Sequence, residues 1–227
     1  MTRSRRHRGH DTAVNIIVQA TTALASVNSA ADLSSYDSDS WTPPANKLIL
    51  GFATSRRTAS TPNTPTMSGN GLTWVAVANI LYSTEASPVR RITLFRTMGA
   101  SPSAGVTTID FAAQTQLDCV AQFVAIDNVD TSGTNGSAAV VQSATDATDS
   151  PGTTAAPALA AFGSGRNGTF VCCARSAGAT FSLPAEFFSS TVSTTIAGTS
   201  INNVLTPTVT NSSGADLGAI AIEVKAA

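Results

Sequence analysis

Both histidines of the chain, His7 and His10, fall within its first ten residues, MTRSRRHRGH, beside four arginines. A Ser-His-Asp or Cys-His arrangement elsewhere would have to borrow its base from that terminus. Zinc, iron or copper sites built on histidine meet the same obstacle. Carboxylate pairs of the glycosidase type remain, with Glu85, Asp110, Asp118, Asp127, Glu186 and Glu223 as candidates. Nothing in their spacing gathers an acid and a base or nucleophile into one cleft. The chain therefore reads as a non-enzyme with no cofactor and no metal.

Other polar clusters admit two readings each. SYDSDSW offers Asp37 and Asp39, and DNVDTSGTNG offers Asp127, Asp130 and Asn135. These are oxygen-rich loops for a hard ion, but Asp and Asn in turns usually bond their own backbone. SGNG, with Gly69 and Gly71, imitates a phosphate cradle without a helix to complete it, and a tight turn accounts for both glycines. Trp41 precedes two prolines in a loop. It could stack on a sugar together with Tyr36, or plug the end of the fold. The paired arginines Arg56-Arg57 and Arg90-Arg91, with Arg96 beyond them, could meet a partner's carboxylates or solvate a strand edge. Strand alternation puts Arg90 and Arg96 on one face and Arg91 on the other.

Charged residues make up only 12% of the chain, and the net charge of -1 becomes -5 once the four arm arginines are set aside. Basicity is thus local, and the body offers no broad footprint for nucleic acid, although the arm alone could touch phosphates. Cys119, Cys172 and Cys173 are an odd number without metal-ligand spacing, so buried free thiols are expected. Adjacent strand residues point to opposite faces, so at most one of Cys172 and Cys173 could reach Cys119. No apolar run approaches the ~18 residues of a membrane helix, and a soluble chain is expected. The stretch AVNIIVQATTALASVNSA after the arginines imitates a secretion signal. Asn15, Gln19, Thr21 and Thr22 interrupt it, which favours a β-strand with a basic arm ahead of it.

Apolar runs of β period, separated by Gly, Pro, Asn and Ser clusters, must position these groups. Strands are predicted at 13–24, 47–55, 72–83, 90–98, 105–113, 117–129, 137–145, 168–176, 187–200 and 217–227. The weakly patterned segment 146–165 is expected to cross between sheets. The expected class is all-β: a two-sheet antiparallel sandwich, jelly-roll-like, with an extended N-terminal arm. Residues 1–30 form the basic arm and first strand, and residues 31–227 form a single domain.

The phrases PTMSGNGLTWVAVANILYS, RRITLFRTMGASPSAGVTTIDF, NVDTSGTNGSAAVVQSAT and LGAIAIEVKAA resemble a family of β-sandwich proteins of tailed phages and phage-derived regions. The similarity spans roughly residues 42–227. It implies a virion component, either a capsid decoration or cement protein on the outer shell or a tail-fibre module holding surface glycans. It brings no catalytic residues. For the first case the expected partners are the major capsid protein and neighbouring copies of the chain, as a trimer at a lattice axis. Contacts would run through Arg3, Arg5, Arg6, Arg8, Arg56, Arg57, Arg90 and Arg91. For the second, Tyr36 and Trp41 would touch the glycan on the virion tail.

Overall fold

The computed structural model describes residues 17–18, 24–58, 60–84, 88–149, 152–176, 187–190, 194–202, 204–211 and 214–227. The arm, with Arg3, Arg5, Arg6, Arg8 and both histidines, lies outside them, as do Glu85 and Glu186. Regular structure among the described residues is entirely β. The first half of the chain contributes β1 (Ile17–Val18), β2 (Ala25–Ser29), β3 (Ser35–Asp37), β4 (Leu48–Arg57), β5 (Thr66–Gly69), β6 (Val75–Tyr82), β7 (Val89–Thr97), β8 (Thr107–Asp110) and β9 (Asp118–Asp127). The second half contributes β10 (Val140–Thr148), β11 (Thr154–Ala155), β12 (Gly168–Ser176), β13 (Phe187–Ser190), β14 (Thr194–Asn202), β15 (Val209–Thr210) and β16 (Leu217–Val224).

Two large antiparallel sheets form a sandwich-like centre. The first runs β1-β9-β4-β7-β6, with β2 sharing the outer edge of β9 with β1; the second runs β10-β16-β12-β14-β13. The chain completes the first sheet before it begins the second, so successive strands do not interleave between sheets in the jelly-roll manner. Segment 146–165 also departs from expectation. Residues 146–148 belong to β10, and residues 152–165 lead to β12 of the same sheet and lie over its outer face, where Ala155 and Leu159 join a buried cluster. The predicted strand 187–200 is a hairpin of β13 and β14.

The central strands of each large sheet are covered on both sides. Between them sits a core that includes Leu48, Leu50, Phe52, Ile92, Phe170 and Ile220. The outer face of the first sheet is capped by the small sheet β3-β8-β5, through Tyr36, Met67, Ile109 and Phe111. The outer face of the second is capped by β11-β15 with Leu159 and Val209. This layering explains why β9, β12 and β16 read as unbroken apolar runs rather than alternating ones: both faces of each strand leave water. Full burial of one Leu or Phe side chain is worth about 2 kcal/mol, so the caps contribute to stability as well as shape.

Two glycines make this packing possible. Gly51 sits opposite Phe123, and a Cβ there would lie 3.0 Å from Met67 Sδ and 3.1 Å from the Phe123 ring. Gly218 lies under Tyr82, where a Cβ would approach the ring to 2.9 Å. The edges are managed as well. β6 and β10 flank one side of the sandwich, and each carries a register irregularity, after Ala76 and after Val140. Such bulges blunt edge-to-edge pairing.

The three cysteines are buried and free, and each belongs to a different core: Cys172 between the sheets, Cys119 under the first cap and Cys173 under the second. Burial pushes all three thiols above their ordinary range. Folded protein is therefore expected to leave a thiol reagent unconsumed, while unfolded chain titrates three thiols. A fast-reacting thiol in the native state would contradict this placement.

Candidate functional site

Antiparallel pairing of β4 with β7 brings the two arginine pairs together. Arg56 lies directly opposite Arg90, Ser55 opposite Arg91 and Arg57 opposite Val89. Alternation along the strands sends Arg56 and Arg90 to the face between the sheets, the side of Leu50, Phe52, Ile92 and Leu94. Arg57 and Arg91 go to the capped face. Arg175 of β12, opposite Leu217, lies at the same end in the second sheet. Five of the nine basic residues beyond the first ten positions thus collect at one end of the body.

Like charges directly opposite across strands repel, so each inward arginine needs acceptors. Arg56 donates from Nε to Asp118 Oδ2 at 2.7 Å, and Asp118 is fully buried. Arg90, only 6% exposed, donates from Nη1 to Ser83 Oγ and Pro88 O, both at 3.1 Å. Beside it the Tyr82 hydroxyl and Thr54 Oγ1 share a buried hydrogen bond of 2.7 Å. Arg91 donates to Pro62 O at 2.9 Å and to Asn79 Oδ1. Arg57 differs. It is half-buried on the rim of a 170 Å³ cleft formed with Thr58, Thr115, Gln116 and Leu117, and no acceptor among the described residues takes its guanidinium. The sequence shows the pairs but not this division of labour, which depends on register.

The remaining candidates are absorbed into the scaffold. Trp41 is 8% exposed, with its ring on Phe123 at 5.4 Å and its Nε1 donating to Thr107 Oγ1 at 3.1 Å. Tyr36 is 2% exposed; its hydroxyl lies 2.8 Å from Ala31 O and 3.1 Å from Gln116 O, and accepts the Leu33 N–H. Neither ring offers a face to solvent; both cap the first sheet. Asp127 pairs with Lys47. Asp130 accepts from the Ser132 N–H and Oγ and from Lys225. Asp110 accepts from the Ala112 N–H and Asp37 from Thr108 Oγ1. Glu223 is held by the side-chain amides of Asn167 and Gln142. Among the described residues no three His, Cys, Asp or Glu side chains gather as a metal site.

The SGNG turn holds the least foreseen polar feature. Asn70, 5% exposed and left-handed at φ 58°, directs its Nδ2 at the carbonyls of Trp41 and Gly105, each at 3.0 Å, and of Ser103 at 3.3 Å. Its Oδ1 accepts from Thr107 Oγ1 at 2.5 Å, which closes a chain back to the Trp41 indole. The turn is a latch for the first cap; Gly69 at φ 122° and Gly71 at φ 65° shape it.

Both tyrosines of the chain are buried, and burial pushes Tyr36 up to about 12 and Tyr82 higher still. Folding favours the neutral phenols. The stability this contributes is complete below the ordinary tyrosine pKa of about 10 and is lost as pH rises through the folded values. Phenolate absorbance of the native protein should stay silent until about pH 12. Ionisation of a tyrosine near pH 10 with the fold intact would contradict it.

No helix among the described residues is long and apolar enough to cross a membrane. Comparison with family models, with curated proteins and with solved structures gives no match to this chain, so its function is argued from the residues themselves.

Proposed function

We propose that the chain is a non-enzymatic structural protein of a phage virion, a capsid decoration or cement protein that binds the outer shell and stabilises it. The observation that carries this reading is the arginine end. Arg56, Arg90 and Arg91 are spent on internal acceptors, which leaves Arg57 turned outward on a body that otherwise carries little charge. A guanidinium without an acceptor among the described residues suits a carboxylate on the major capsid protein or on a neighbouring copy.

The basic residues ahead of β1, with Arg3, Arg5, Arg6 and Arg8, are the tether; β1 meets the Asp127 end of β9, opposite Arg57, so tether and arginine end make separate contacts. Segments of this kind can cover much partner surface with few residues. The sandwich body suits a trimer at a lattice axis, and its buried thiols and double capping suit a durable surface protein. A map of the native particle tests the reading: density for this chain on the outer shell is the expected result, and density confined to the tail would overturn it.

A further inference from the structure

At the opposite end of the body, some nine strand residues from Arg56 and Arg57, the loops before β4, after β7 and after β9 enclose a cleft of 400 Å³. Asn46, Met98, Gly99, Thr131, Thr134 and Asn135 line it. This volume falls in the range of small-ligand pockets, about 300–1,000 Å³.

The walls are fixed by backbone bonding. Asn46 N donates to Gly99 O at 2.8 Å, and Arg96 Nη1 donates to Asn135 O at 2.5 Å. Ser137 donates from its N to Thr134 O at 3.0 Å, and its Oγ accepts from Thr134 N at 3.1 Å. Asp130, held by Ser132 and Lys225, anchors the start of the same loop. A cleft built this way loses little conformational freedom on binding.

Its chemistry is neutral. Asp127 and Asp130, the loop's two carboxylates, are turned to Lys47 and Lys225, and no titratable side chain lines the cleft. The side-chain amides of Asn46 and Asn135 and the hydroxyl of Thr131 have no hydrogen-bond partner among the described residues. An amide presents a donor and an acceptor together, which matches adjacent hydroxyls of a polyol, while Met98 offers an apolar patch for a C–H face.

We infer that this cleft binds an uncharged saccharide unit, with Asn46, Thr131 and Asn135 as its polar contacts. The inference stands apart from shell docking at the arginine end, and either can fail without the other. The test applies the full chain to an array of neutral and acidic glycans, followed by ligand-observed NMR with any glycan retained. Asn135→Gly and Ala100→Trp are compared with the parent. Asn135→Gly removes the amide at a left-handed position, φ 53°, that glycine adopts freely, and Ala100→Trp fills the cleft from an exposed wall position. Binding of a neutral glycan, weakened about tenfold in Kd by Asn135→Gly and lost in Ala100→Trp with melting temperature unchanged, is expected. No retained glycan, a preference for acidic glycans, or binding that survives both substitutions would overturn the inference.

Discussion

Replacing Asn70 by aspartate is expected to lower the unfolding free energy by about 4 kcal/mol. That is a fall of about 10 °C in melting temperature for a chain of this size. The substitution changes one amide NH₂ to oxygen and leaves shape and volume alone. Aspartate tolerates the left-handed backbone at this turn nearly as well as asparagine, so the cost falls on hydrogen bonding. The Nδ2 group now faces the carbonyls of Trp41, Ser103 and Gly105. A carboxylate there would oppose three carbonyl oxygens in a site that is 5% exposed. Protonating the new carboxyl restores one donor, so the deficit of N70D relative to the parent should narrow as pH falls. A melting temperature within about 2 °C of the parent would show that the latch contributes little.

Arg56→Ala is the second large effect. Asp118 is fully buried and receives the Arg56 Nε–H at 2.7 Å. Removing the cation takes the Arg56 ion pair from a fully buried carboxylate in the inter-sheet face, at a cost of about 3 kcal/mol. Arg57→Ala, one residue on, should change stability by no more than about 0.5 kcal/mol, because no hydrogen bond or ion pair to a described residue is lost. Chemical denaturation of the two variants side by side measures the difference. Equal stabilities would mean that the register does not divide these arginines into a folding member and a docking member.

The long strands are legible in the sequence because burial on both faces produces apolar runs of eight to ten residues, as in LDCVAQFVAIDNV and LGAIAIEVKAA. The caps are not. β3, β5, β11 and β15 are two to four residues long and rich in Ser and Thr, below the length at which period carries information. STVST, between Ser189 and Thr195, contains neither Gly nor Pro, which is why β13 and β14 read as one strand. Trp41 and Tyr36 show in the sequence as aromatics in polar loops, and only the presence of a cap above Phe123 reveals that they are core. The arginine pairs are visible as dipeptides. That Arg56 meets Arg90 across 34 positions, and that Arg57 is left over, follows from strand pairing and from nothing local.

Docking through the arginine end is tested most directly by sedimenting the full chain with purified cognate phage particles that lack it. Arg57→Glu is compared with Arg166→Glu. Arg166 is exposed in the turn before β12, at the far end of the body, so it carries the same charge change away from the proposed contact. The account predicts that Arg57→Glu weakens association about tenfold or more at physiological salt, while Arg166→Glu binds as the parent does. Undiminished binding by Arg57→Glu would contradict it.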